Sequence, residues 1–441
     1  MTLERIPVKW LLNILYATAL LIISPVILWR MLRHRRYLDG WREKLLGQLP
    51  RSVAQRHPVW FHAVSVGEVI QLEKVVRAFI TATGGQVEVL VTTSTDTGYQ
   101  LARERLADIT VSWLPLDFSW AVSQALERVR PQMLVLMELE LWPNLLWECR
   151  HRGVPTALIN ARMSDRSFRG YGQLPFLQPL FQSFSVVAAQ TEQYADRLRR
   201  LGAREEHVKV SGSIKFDSLQ TDRDNPATND LRALLGITSD ATVLIAGSTQ
   251  APEERMAVQA WRALQNKNVN ARLIIVPRHR ERFDHVAAEI SSTGVRVTRR
   301  SEIKKHGVPP ADSVIVLDTI GELAACWGMA DVAFVGGSFG PRNGQNMLEP
   351  AAYGAAVVVG PRTSNFRDIV ALLKDTNAIV QVADPGEFHE QVIRLMSDAA
   401  ARATIGMQAA NTVAKQQNAL SATVRLLTGV LATNQPLRSA A

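Results

Sequence analysis

From residue 59 onward, short apolar runs alternate with longer amphipathic stretches, and the alternation comes in two successive blocks. The first block has strand-like runs at 59–64, 87–91, 133–137 and 156–160, with an amphipathic helical stretch at 69–82. The second has them at 243–246, 272–276, 314–317, 332–335, 357–359 and 378–380. Runs that are apolar throughout fit strands buried on both faces, the condition of a parallel sheet covered by helices. Strand and helix in alternation predict an α/β architecture. Here that means two Rossmann-like, doubly wound domains of similar size, facing each other across a cleft. A chain of 441 residues with 47% hydrophobic content suits two or three domains and can fill two cores. The expected boundaries are an N-terminal anchor at 1–36, a first domain at 37–220, a polar linker at 221–235, a second domain at 236–425 and a tail at 426–441.

The anchor expectation rests on residues 10–29, a nearly uncharged apolar run. As a helix it extends ~30 Å, the thickness of a bilayer core. Arg30, Arg33, His34, Arg35 and Arg36 follow it, and only Arg5 and Lys9 precede it. That asymmetry places the bulk of the chain on the cytoplasmic side. A cleaved signal peptide fits poorly, because no small-residue cleavage site follows and the basic cluster lies downstream. A buried core helix is the other reading of the same run. Residues 37–47 mix basic and aromatic side chains and fit either a membrane-surface segment or a link to the first domain.

The net charge of +9 favours an acidic partner such as anionic lipid or a phosphorylated substrate. The basic residues are dispersed and no nucleic-acid reader motif is present, so nucleic acid is not expected. Cys149 and Cys326 both lie in apolar surroundings, which implies no disulfide and suits a reducing compartment.

Open parallel sheets bind ligands beyond the carboxyl ends of their strands, so chemistry is sought in the loops that follow them. Glu68 follows a strand and opens a helix, where the helix N-terminus favours an ionised carboxylate. It reads as a general base or as a helix-capping glutamate. Glu138 and Glu140 end an apolar strand, as a functional pair or a structural ion pair. Lys215 precedes the linker, facing the cleft or solvent. Pro277 and Arg278 end another strand, and the arginine fork suits a phosphate. Gly321 and Glu322 offer a backbone contact or a helix start. Residues 331–350 (DVAFVGGSFGPRNGQNMLEP) run from strand through glycine loop to a helix expected at 347–353 with Asn346 as its cap. The loop amides and helix start would suit an anion, and Glu349 the two hydroxyls of a ribose. No His or Cys cluster has zinc spacing, and the Asp222/Asp224 pair lies in the linker, so neither metal nor cofactor is expected. Ser65 sits in a weak nucleophile-elbow pattern, the basis of a competing hydrolase reading.

Taken together, these residues resemble the Kdo (3-deoxy-D-manno-octulosonic acid) transferases of lipopolysaccharide assembly, inverting glycosyltransferases with the two-domain GT-B fold. The resemblance is carried by GWREK (40–44), WFHAVSVGE (60–68), LPLD (114–117), MELELWPN (137–144), NARMSDR (160–166) and GSIKFD (212–217). It continues through AGST (246–249), VPRH (276–279), DTIGEL (318–323), FVGGS (334–338) and NMLEP (346–350). It implies Glu68 as general base, with Glu138 and Lys215 stabilising the transition state. It also implies a CMP site made of Pro277, Arg278, Ile320, Gly321, Glu322, Asn346, Met347, Leu348 and Glu349. The implied donor is CMP-Kdo and the implied acceptor a phosphorylated lipid A precursor, lipid IVA, at the inner membrane. The first domain would take the acceptor and the second the donor. Gln250 and Gln345 stand where the family usually has histidine, which leaves a different nucleotide sugar as an alternative. A catalytically inactive membrane-bound receptor for nucleotide or lipid is another.

Overall fold

A computed structural model of the chain describes residues 6–34, 39–51, 57–267 and 269–434. Arg5, Arg35 and Arg36 of the anchor's charge pattern, residues 37–38 of the first domain and 435–441 of the expected tail lie outside the described residues. The chain forms two α/β units, one made of residues up to Asp217 and from Gln417 onward, the other spanning Ser218–Gln416.

The first unit holds β1 (Val59–His62), β2 (Val89–Thr93), β3 (Thr110–Trp113), β4 (Met133–Met137), β5 (Thr156–Ala161), β6 (Phe184–Ala189) and β7 (Val208–Val210). Their order is β3-β2-β1-β4-β5-β6-β7, all parallel. Successive strand residues feed opposite core layers, as a pleat buried on both faces requires. Trp60 packs into one layer with Leu90, Leu134 and Leu136. Val59 and Phe61 pack into the other with Val91, Met133 and Val135.

The second unit holds β8 (Thr242–Thr249), β9 (Ala271–Pro277), β10 (Arg296–Arg299), β11 (Ser313–Val316), β12 (Val332–Val335), β13 (Ala356–Val359) and β14 (Ile379–Gln381). Their order is β10-β11-β9-β8-β12-β13-β14, again all parallel.

Two expected boundaries move. Residues 221–235, read as a linker, are a packed part of the second unit. Their polar residues have structural tasks: Asn225 caps the helix Pro226–Leu234 by accepting the Thr228 N–H at 3.0 Å. Arg223 donates to the carbonyls of Gly328, at 3.0 Å, and Ala330. The second unit also ends at Gln416 and not at 425, because the last helix, Ala419–Asn434, belongs to the first. Val424, Leu427 and Leu431 of that helix join the core layer of Val69, Leu72 and Val76. Burying each such aliphatic side chain contributes about 1.5–3 kcal/mol. Asp217 fixes the return point, its carboxylate accepting the N–H groups of Asn418 at 2.5 Å and Leu420 at 2.8 Å.

The N-terminal run forms one helix, Ile6–His34, with Pro25 inside it. Among the described residues it is the one helix long and apolar enough to cross a membrane. From Ala17 to Trp29 its described side chains are exposed apart from Leu20, which is half-buried.

Candidate active site

In the first sheet the chain moves outward from β1 through β2 to β3 and then returns to the far side of β1 at β4. Loops leaving the carboxyl ends of β1 and β4 part in opposite directions, and a crevice opens there. Glu68 and Glu138 follow these two strands.

Ser65 caps the helix Val66–Ala82, its Oγ accepting the Glu68 N–H at 3.3 Å. In return Glu68 Oε1 accepts the Ser65 hydroxyl at 2.8 Å, and Oε2 accepts the Val64 N–H at 2.9 Å. This is a reciprocal cap. The capping role of Glu68 is therefore real, and it fixes the carboxylate at the mouth of the switch point. It also engages the Ser65 hydroxyl, which gives Ser65 a structural role as the cap of this helix. A side chain at Gly67 would meet nothing nearer than Ser65 Oγ at 4.0 Å, so the turn opens onto unfilled space.

Glu138, the first residue past β4, has φ of 54°, a left-handed conformation that a side chain disfavours. Strain of this kind persists where surrounding structure imposes it, and it concentrates at functional sites. Burial raises the Glu138 carboxyl above the ordinary range, and the Glu68 charge adds to the rise. Lys215 and Arg162 pull it down. Glu140 is pushed up to about 7, first by burial and then by the Glu68 charge. The three residues expected to be catalytic, Glu68, Glu138 and Lys215, thus share one electrostatic environment, together with Glu140 and Arg162.

Asn160, also left-handed at φ of 51°, ties the Lys215 segment to this group. Its Oδ1 accepts the Ile214 N–H at 3.2 Å, and its Nδ2 donates to Gln71 Oε1 at 3.0 Å. Sequence reasoning passed over Asn160 as a binding or catalytic residue. A buried asparagine at a strand end, in a position that tolerates αL backbone, is the signal it carried.

In the second sheet the reversal lies between β8 and β12, where residues 247–250 and the glycine loop emerge. Expected anion-binding amides of that loop prove to be occupied. Glu253, 1% exposed, places Oε2 against the N–H groups of Gln250 and Gly337, both at 2.8 Å. Its Oε1 takes those of Ser338 at 2.9 Å and Phe339 at 3.0 Å. An internal carboxylate thus holds the loop where a phosphate was expected, a correction to the sequence reading. A side chain at Gly336 would come within 2.7 Å of both Glu253 Oε2 and the Thr249 backbone, so only glycine fits there. Nothing local marked Glu253, because an acidic residue in a helix's first turn is ordinarily a solvated one.

The expected donor residues follow β11, β9 and β12, of which β11 and β9 are paired and β8 lies between β9 and β12. Pro277 is buried as the last residue of β9. The Arg278 N–H donates to the Thr249 carbonyl at 3.1 Å, and its side chain is exposed. Arg342 of the glycine loop reaches His279 Nε2 at 3.0 Å, joining the loops after β9 and β12. Ile320 is 76% exposed, and Gly321 has φ of 91° with nothing within 4 Å of an added Cβ. Glu322 is held by Arg300 at 2.6 Å and by the Thr319 hydroxyl.

The helix expected at 347–353 is shorter, Leu348–Ala352. Its cap position is Met347 and not the expected Asn346, which lies one residue earlier and accepts the Leu348 N–H at 3.1 Å. Asn346 Nδ2 donates to Glu349 Oε1 at 3.0 Å, so one of the two oxygens assigned to a ribose already has a partner. Met347 and Leu348 are buried. Gln345 packs beside Gly337, and Gln250 lies beside Gly340. The two residues that depart from the expected histidines thus flank the same loop.

Among the described residues no cluster of three or more His, Cys, Asp or Glu is arranged to hold a metal ion. Asp222 instead accepts the Asp224 N–H at 2.9 Å in a local turn.

Residues 39–218 match a family model described as 3-deoxy-D-manno-octulosonic-acid transferase (kdotransferase). A 3-deoxy-D-manno-octulosonic acid transferase from Haemophilus influenzae is 31% identical over 427 residues, covering 95% of this chain and 99% of that one. Its counterpart from Bordetella pertussis is 34% identical over 404 residues, covering 88% and 92%. A glycosyltransferase from Rickettsia africae, known from its crystal structure, superposes with a TM-score of 0.53 at 10% identity, covering 88% of this chain and 100% of that one. The last likeness is one of fold, and it agrees with the two Rossmann-like units described above.

Proposed function

The chain belongs to the Kdo transferase family, a family of GT-B glycosyltransferases, and on that premise we propose that it moves Kdo from CMP-Kdo to a lipid A precursor with inversion at the anomeric carbon. Glu68 takes the proton from an acceptor hydroxyl. The freed electron pair attacks the anomeric carbon of Kdo and forms the new bond, while the bond to the phosphate oxygen breaks and CMP departs with the electron pair of that broken bond. Arg278 offsets the charge that grows on the leaving phosphate, and Glu138 and Lys215 stabilise the transition state. Pro277, residues 320–322 and residues 346–349 hold the cytidylate, with Arg278 on its phosphate. No metal is needed, because cationic side chains supply the charge.

The observation that carries this reading is the convergence of Glu68, Glu138, Glu140 and Lys215 at the first sheet's switch point, with Glu138 in a strained backbone conformation. The exposed apolar stretch at 17–29 supports attachment to the inner membrane from the cytoplasmic side, where anionic lipids meet a chain of net charge +9.

The purified protein, given CMP-Kdo and lipid IVA, is expected to raise the acceptor mass by one or more Kdo residues and to release an equal number of CMP molecules. Turnover of a different nucleotide sugar in place of CMP-Kdo would favour the alternative donor. Binding of CMP with no transfer to any acceptor would favour the receptor.

A further inference from the structure

Three polar residues interrupt the apolar N-terminal helix on one face, at spacings of four and three: Lys9, Asn13 and Tyr16. All three bind the folded unit. Lys9 Nζ meets Glu148 Oε2 at 3.5 Å. Asn13 is buried, and Tyr16 also sets its ring edge-on to Phe118, with centroids 6.2 Å apart.

Two helices of the same unit start without a side-chain cap of their own. The helix Ser119–Val129 has Phe118 at its cap position, and the helix Pro143–His151 has Trp142. Helix starts leave backbone N–H groups that need an acceptor. Asn13 serves the first: its Oδ1 accepts the Ser119 N–H at 3.0 Å, and its Nδ2 donates to the Ser119 hydroxyl at 2.8 Å. Asp117 serves the second: Oδ2 accepts the Asn144 N–H at 3.0 Å and Oδ1 the Leu145 N–H at 2.9 Å. Tyr16 donates its hydroxyl to the same Oδ2 at 3.1 Å. The Asn144 side chain closes the network by donating to Asn13 Oδ1 at 3.4 Å and to the Asp117 carbonyl. Asp117 is buried, so each donor to it counts towards keeping its charge in place.

The helix Pro143–His151 begins where the loop bearing Glu138 and Glu140 ends. We infer that the N-terminal helix is a positioning element for that loop, acting through Asn13, Tyr16 and Asp117, and is not merely a tether. Its apolar face remains available for a membrane, while its polar face completes the caps that hold the two carboxylates. The inference uses the transferase reading for its rate measurement and is independent of it in its second arm.

The test is the double variant Asn13→Leu with Tyr16→Phe, which makes the helix more apolar and leaves the ring contact to Phe118 intact. Assays run in detergent micelles, where membrane attachment no longer limits the rate. The kcat is expected to fall about 10- to 100-fold, the scale of a small misplacement of catalytic groups. The KM for CMP-Kdo should stay unchanged, because the donor residues belong to the second unit. Hydrogen exchange at the amides of Asn144 and Leu145 should accelerate about tenfold, the equivalent of one lost hydrogen bond. Tyr16→Phe alone should show both changes in smaller degree, and it stands in if the double variant does not fold. A control, Leu15→Ala with Ile22→Ala on the exposed face, should weaken vesicle binding and leave kcat in micelles unaltered. Wild-type kcat together with wild-type exchange in the double variant would overturn the inference and leave the helix a tether. Should wild-type protein transfer no Kdo, the transferase reading fails, and the exchange rates alone still decide this one.

Discussion

Glu68→Gln is expected to lose about 100- to 10,000-fold of turnover, the usual worth of a positioned general base. Glutamine is the informative replacement. Its amide oxygen still accepts the Val64 N–H, and its amide nitrogen can donate to the Ser65 hydroxyl, so the reciprocal cap survives. What it cannot do is take a proton from an acceptor hydroxyl. The proposed donor residues all lie in the second unit, so CMP affinity should match wild type. Initial rates and a calorimetric CMP titration on one preparation separate the two effects. A parallel loss of rate, affinity and thermal stability would make Glu68 a cap and nothing more.

Glu253→Gln should cripple the donor half in a different way. The native carboxylate accepts four backbone N–H groups, two on each oxygen. Burial raises its carboxyl, and those amides act to keep it ionised. Glutamine has one acceptor oxygen and turns an N–H₂ towards two of the donors, orphaning both. Each buried orphan costs about 1–3 kcal/mol. The glycine loop should loosen and CMP affinity drop at least ~10-fold, one order of magnitude per 1.4 kcal/mol. Urea unfolding and a CMP titration measure the two consequences. Wild-type CMP affinity in this variant would mean that the loop takes no part in holding the nucleotide.

Much of the fold was legible because parallel strands are buried on both faces and leave apolar runs that need no periodicity to be seen. β4 and β12 fall where those runs predict, at 133–137 and 332–335. The strands that went unseen include the sheet edges β3, β7 and β10. β7 and β10 are partly exposed, and Arg296–Arg299 offers almost no apolar signal. β6 was also missed, although its residues are mostly buried. The boundary at the expected linker was hidden for another reason. Polar residues at 221–229 look like a linker, yet Asn225 and Arg223 are polar because they cap a helix and bind carbonyls.

The candidate site divides along the same line. Residues at the carboxyl ends of strands announce themselves, since a charged side chain directly after an apolar run is conspicuous, as at Glu138 and Arg278. Glu253 gave no such signal, and Asp117, though it ends the LPLD pattern (114–117), gave none of its capping role. Their partners lie far along the chain, Gly337 from Glu253 and Asn144 and Tyr16 from Asp117, and burial of an acid is invisible without coordinates. Glu140 was seen as one of a pair, but its rise to about 7 depends on burial and on the Glu68 charge, which the fold supplies.

The most direct test of the mechanism is the anomeric configuration of the transferred Kdo, read by NMR from the product of a single round of transfer. A lone displacement driven by Glu68 requires the configuration opposite to that in CMP-Kdo. Retained configuration would demand a covalent intermediate or a second displacement, and would contradict the role given to Glu68.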